Sequence, residues 1–70
     1  MNSKNILMIF GNNVRKYRKE QQLSQEKLAE FADVHRTYIG MIERAEKNIT
    51  LLNMEKIAKA LQIELTELLK

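Results

Sequence analysis

The chain has no cysteine, no proline and no tryptophan, and only two glycines and one histidine in 70 residues. Without cysteine no disulfide can reinforce a small core, an absence that suits a reducing compartment. One histidine and no cysteine leave no donor set for a structural zinc ion. The same scarcity argues against Ser–His–Asp or Cys–His catalysis, and two glycines cannot build a glycine-rich phosphate loop. Glu20, Glu26, Glu30 and Glu43 are spread along helix faces with no metal-ligand cluster around them. No enzyme activity and no cofactor are expected. Long apolar runs are missing too. The segment "ILMIF", residues 6–10, is shorter than a signal-peptide core of about 7–15 residues and far shorter than the roughly 20 needed to span a bilayer. It reads as part of a buried helix, and a cytoplasmic protein is expected, with no membrane partner.

What is present is charge and helical periodicity. Lys and Arg number 12 against 9 Asp and Glu, a net charge of +3. That permits a polyanionic partner without requiring one. A chain of this length buries only about 60% of its unfolded surface, so pairing through an apolar patch is the ordinary route to further burial.

With so few glycines and no proline, periodicity has to divide the chain. Ile6, Phe10, Val14 and Tyr17 recur at helical spacing among Arg15, Lys16, Arg18 and Lys19, predicting a first helix over about residues 4–21. Ser24 is a good N-cap for a second helix, "QEKLAEFA", that turns Leu28, Ala29 and either Phe31 or Ala32 inward. "DVH", residues 33–35, interrupts the pattern: Asp33 tolerates the left-handed region and Val34 can plug the turn. A third helix, "RTYIGMIERA", buries Ile39 and Ile42, and Gly40 weakens it by about 1 kcal/mol relative to alanine. Thr50 caps a fourth helix with a stripe of Leu51, Met54, Ile57, Ala58 and Leu61, and Thr66 is the expected cap of a short last helix carrying Leu68 and Leu69. The reading is all-α: one compact five-helix domain over residues 1–70, with no strand.

Two helices joined by a three-residue turn have the layout of a helix-turn-helix, here over about residues 25–44. In that layout the second helix enters the major groove with its N-terminal residues foremost. Its first turn holds Arg36, Thr37 and Tyr38 where acidic residues would suit the helix dipole better. Arg36 is placed to fork onto guanine O6 and N7, and Thr37 to meet a base edge or thymine methyl. Tyr38 can reach a phosphate, and Met41, one turn on, can pack on a thymine methyl. Each has a plain alternative: a solvated arginine, a helix cap, a tyrosine at the rim of the core, a core methionine. Their joint position at the start of the second helix favours DNA.

The stretches "LSQEKLAE", "RTYIGMIER" and "MEKIAKAL" resemble the lambda-repressor and Cro class of helix-turn-helix proteins, the Xre family, over about residues 10–69. Within that class, the Arg-Thr-Tyr-Ile, Ile-Glu-Arg and Asn-Ile-Thr segments are similar to controller proteins of restriction–modification systems. The resemblance implies a lambda-repressor-like fold and a homodimeric transcription regulator on a palindromic DNA operator. It gives Gln25 a phosphate clamp at the start of the second helix and Arg36 and Thr37 the base-reading positions. It places Tyr38, Arg44, Lys47 and Asn48 along the sugar-phosphate backbone, and makes Arg18 and Glu43 a structural ion pair between the first and third helices. It also implies a two-fold interface over about residues 50–70. Leu52, Ile63, Leu65 and Leu69 are the expected members, while Leu65 and Leu68 also close the monomer core.

The chain departs from the family's pattern at four positions. Asp33 and Ala45 stand where glycine is common, Ile49 where proline is, and His35 where a serine or threonine would cap. A poor cap and a turn toward DNA are the two special roles open to His35, but a lone histidine more often takes neither, so it is assigned no switch or ligand role. Activation of transcription would require a surface touching RNA polymerase, for which the sequence singles out no residues. The rival function is a protein-interaction module, of antitoxin or anti-repressor type, on the same fold. Salt separates the two, because affinity for DNA falls steeply with it.

Overall fold

A computed structural model describes residues 3–70. Five helices follow in order: α1 (Ser3–Glu20), α2 (Gln25–Ala32), α3 (Arg36–Glu43), α4 (Leu51–Leu61) and α5 (Leu65–Leu68). There is no strand among the described residues. Every helix sends apolar side chains into one core. Phe10 and Val14 of α1, Leu28 of α2, Ile39 of α3, Ile57 and Leu61 of α4 and Leu68 of α5 are all sealed from solvent. On α2 the inward residue is Ala32; Phe31 stays largely exposed, with the Lys27 ammonium 5.6 Å from its ring centre.

Helices α2 and α4 begin on side-chain caps that satisfy otherwise orphaned N–H groups. Ser24 Oγ accepts from the Lys27 N–H at 2.9 Å, and Thr50 Oγ1 from the Asn53 N–H at 3.1 Å. The expected cap at Thr66 is not found. Glu64 occupies that position without a side-chain cap bond, and Thr66 lies inside α5. So short a helix is held by its contacts rather than by its start, since Leu68 is fully buried and Leu65 packs against the core.

The ends explain how the chain punctuates itself without glycine. Gln22, Asp33, Ala45 and Gln62 all adopt positive φ, between 58° and 60°. In each case the next residue donates its N–H back into the helix: Leu23 to the Arg18 carbonyl, Val34 to Ala29, Glu46 to Met41 and Ile63 to Ala58. This is the Schellman stop. Leu23, Val34 and Ile63 then pack against the core and fix the turn. The third helix therefore stops at Glu43, two residues earlier than its pattern suggested, with Arg44 as C-cap and Ala45 left-handed.

Two further features position the site. Gly11 lets α1 lie against the end of α3, since a Cβ there would run into the backbone carbonyl oxygen of Ile42. Leu51, expected in the core stripe of α4, is instead 71% exposed. As the first residue of its helix it projects past the core and joins Leu52 on the surface.

Candidate nucleic-acid interface

The angle between α2 and α3 is set from behind by a nearly buried ion pair. Arg18 Nε donates to Glu43 Oε2 at 2.7 Å and Nη2 to Oε1 at 3.0 Å, with the two side chains only 11% and 4% exposed. The remaining arm, Nη1, donates to the Leu23 carbonyl at 2.8 Å, and Gln25 Nε2 donates to Glu43 Oε1 at 3.1 Å. One cluster thus ties α1, the loop before α2, the first residue of α2 and the last of α3. The hydrogen bonds that Arg18 donates to Glu43, together with the carboxylate's charge, raise the Arg18 pKa above its ordinary value against the opposing effect of burial. The guanidinium stays charged at any working pH.

In the turn, Asp33 takes the left-handed conformation at φ 58°, ψ 48°, which aspartate tolerates better than most residues. Val34 plugs it. His35 does cap α3: its Nδ1 accepts the Thr37 N–H at 3.1 Å. That bond requires Nδ1 to be unprotonated, so a neutral His35 carries its proton on Nε2.

With Ile39 and Ile42 buried, α3 turns its other side outward. Arg36 and Thr37 are exposed at its start, and Arg44 at its end. Together with Gln25, Glu26 and Gly40 they line an open groove of about 400 Å³ between the first turn of α2 and the length of α3. Gly40 is its floor. A Cβ there would stand 3.1 Å from Arg44 Nη1 and 3.4 Å from Gln25 Oε1, so the glycine keeps room for both side chains. The residue that weakens the helix by propensity is the one that opens the groove.

The arginines of the groove are held by surface acids. Arg36 Nη1 lies 2.9 Å from Glu26 Oε2, and Arg44 Nε 3.0 Å from Glu46 Oε1, all four side chains more than half exposed. Such exposed pairs contribute about 0–1 kcal/mol each and yield to a stronger anion. In the loop after α3, Lys47 and Asn48 are exposed and have no hydrogen-bond or ion-pair partner among the described residues. Met41 is half-buried and lies outside the core and the apolar shell packed on it. Tyr38 packs against the core, and its hydroxyl accepts from Asn53 Nδ2 at 3.0 Å. Glu26 and Asn53 had no signal in the sequence, because each acts through a partner on a different helix. Of the expected interface residues, Leu52 is 65% and Leu69 36% exposed, while Ile63 and Leu65 rest partly on the core. Leu51, Leu52, Glu55 and Leu65 line a second shallow groove.

A helix-turn-helix family model matches residues 14–68. The chain belongs to that family. Among the family's characterised members, it is similar to control protein C.SmaI of Serratia marcescens, with 50% identity over 64 residues, 91% of this chain and 76% of the relative. Its fold is similar to that of the restriction–modification controller protein C.AhdI of Aeromonas hydrophila, with a TM-score of 0.86 and 44% identity, over 89% of this chain and 94% of the other. It is also similar to the biofilm master regulator SinR, solved in complex with DNA, with a TM-score of 0.82 and 34% identity, over 87% and 98% of the two chains. No helix among the described residues is long and apolar enough to cross a membrane.

Proposed function

We propose that the chain is a transcription regulator that binds a palindromic DNA operator as a homodimer in the cytoplasm, and that it serves a restriction–modification system as its controller protein. It is a binding protein with no catalytic step. The observation that carries this reading is the groove that Arg36 and Thr37, exposed at the start of α3, line together with Gln25 at the start of α2. A phosphate can then sit on the α2 N-terminus, against its free N–H groups and the second Nε2 hydrogen of Gln25. That anchoring holds α3 in register with the base edges. Arg36 forks onto a guanine, and Thr37 and Met41 take a neighbouring base edge or thymine methyl. Arg44, Lys47, Asn48 and the Tyr38 hydroxyl follow the flanking phosphates.

The uncovered leucines of α4 and the chain's last residues supply the second half of the reading. Leu52, Ile63, Leu65 and Leu69 meet their copies across a two-fold axis, which sets two recognition helices about 34 Å apart, one helical turn of duplex. Activation by such a dimer requires a further surface that touches RNA polymerase. The two names that speak for a controller role belong to similar proteins, C.SmaI and C.AhdI.

The test is selection of duplexes from a random pool, followed by titration of the best duplex and a shuffled copy across a range of salt. Arg36→Ala should cost about 1–3 kcal/mol on the selected duplex and relax one base position. Lys47→Ala should weaken both duplexes alike and flatten the salt slope by about 0.9. Equal losses on both duplexes from Arg36→Ala would overturn the base-reading role, and a negligible salt slope would favour a protein partner instead.

A further inference from the structure

We propose that Glu26 is a specificity-determining residue, whose carboxylate, paired with Arg36 across the groove, suppresses binding to non-cognate duplex. The proposal rests on the groove being the DNA-facing surface. Glu26 Oε2 lies 2.9 Å from Arg36 Nη1, the two side chains are 70% and 66% exposed, and both line the groove with Gln25, Thr37 and Arg44. A negative charge thus stands beside the helix start where a phosphate would bind.

The donor count shows what this does. Arg36 has five N–H donors and Glu26 engages one of its arms. Enough donors remain for two parallel bonds to guanine O6 and N7, so a cognate base can be read with the pair intact. On other sequences no base edge accepts that fork. A free arginine would then swing to the nearest phosphate and add sequence-independent affinity. Here the swing leaves the carboxylate unpaired next to a polyanion. The pair therefore penalises the non-specific mode more than the specific one, and specificity is a difference between such modes. Glu30, one turn along α2, serves as a control. It is exposed and lies 3.7 Å from Lys27, and it does not line the groove.

The experiment compares the selected duplex with its shuffled copy, by fluorescence anisotropy across a range of salt. Glu26→Ala should tighten binding to the shuffled duplex by up to about fivefold, the scale of one exposed ion pair, and change binding to the selected duplex far less. The salt slope on the shuffled duplex should steepen by roughly 0.9 as Arg36 takes up a phosphate. Glu30→Ala should strengthen both duplexes equally. In an Arg36→Ala background, Glu26→Ala should leave the ratio of the two affinities unchanged, because the partner it restrains is gone. The proposal is overturned if Glu26→Ala acts on both duplexes alike, as Glu30→Ala does, or if it lowers the ratio only by weakening the selected duplex. Failure of the DNA reading itself shows separately, as a negligible salt slope for the unsubstituted chain.

Discussion

The α2–α3 groove and the face formed by α4 and α5 are both open to water, and each is incomplete in its own way. In the groove, Arg36 and Arg44 already have partners in Glu26 and Glu46. Water and those carboxylates satisfy them, so the surface is stable alone and exchanges its weak pairs for a stronger anion. On the other face, Leu51 and Leu52 are 71% and 65% exposed. No polar partner can satisfy a leucine; only removal from water can, at about 1.5–3 kcal/mol for full burial. One surface asks for a charged, wet partner and the other for a dry one. High salt should therefore weaken the first association and spare the second.

The largest expected effect attacks the rigidity beneath the groove. Arg18→Ala leaves the Glu43 carboxylate with Gln25 as its remaining hydrogen-bond partner and the Leu23 carbonyl without its donor. Removing one member of a buried pair costs about 3–5 kcal/mol, read as a fall in the urea midpoint. Arg18→Met with Glu43→Leu should recover part of that stability while DNA affinity stays low, since Gln25 at the start of α2 loses its anchor on α3. The next effect belongs to the leucine face. Leu52→Ala should weaken self-association by about 2 kcal/mol per subunit, measured by sedimentation. Unfolding of the dilute monomer should barely change, because Leu52 contributes little to its core. If Leu52→Ala unfolded the monomer instead, the contrast between the two faces would fail.

Much of this was legible from residue spacing. Helices declare themselves by their apolar period, and Ser24 and Thr50 announce starts because a side-chain oxygen beside an orphan N–H is a local event. Arg36 and Thr37 could be placed by their position in the two-helix unit. Asp33 marked one left-handed turn, but the other helix ends were harder, because those positions hold glutamine and alanine rather than glycine. The apolar residues that enforce two of those turns look like ordinary core. Thr66 resembled a cap, yet the burial of Leu68 decided where α5 lies. Leu51 matched the stripe of α4 but fell beyond the core's edge. Glu26 and Asn53 were invisible for a deeper reason: Arg36 and Tyr38 reach them across helices, and no single-chain period encodes such a pairing.

The smallest effect sharpens the comparison by touching backbone alone. Ala45, in the loop beside the groove, and Gln62, at the end of α4, share almost the same conformation, with φ of 58° and 60°. A left-handed residue with a Cβ costs about 1–2 kcal/mol, partly offset by glycine's greater loss of entropy on folding. Ala45→Gly and Gln62→Gly should each raise stability by about 1 kcal/mol, seen as a matched rise in urea midpoint. Asp33→Gly should gain less, since aspartate already tolerates this region. The two variants share a backbone conformation and differ in the side chain removed and in neighbourhood. Ala45→Gly sits between Arg44 and Glu46, whose exposed pair spans it, so any loosening of that loop would appear as weaker DNA binding despite the added stability. If affinity holds, the loop's geometry comes from the Glu46 N–H bond to the Met41 carbonyl at 2.8 Å, and the groove depends on its helices rather than on the identity of the residue that ends them.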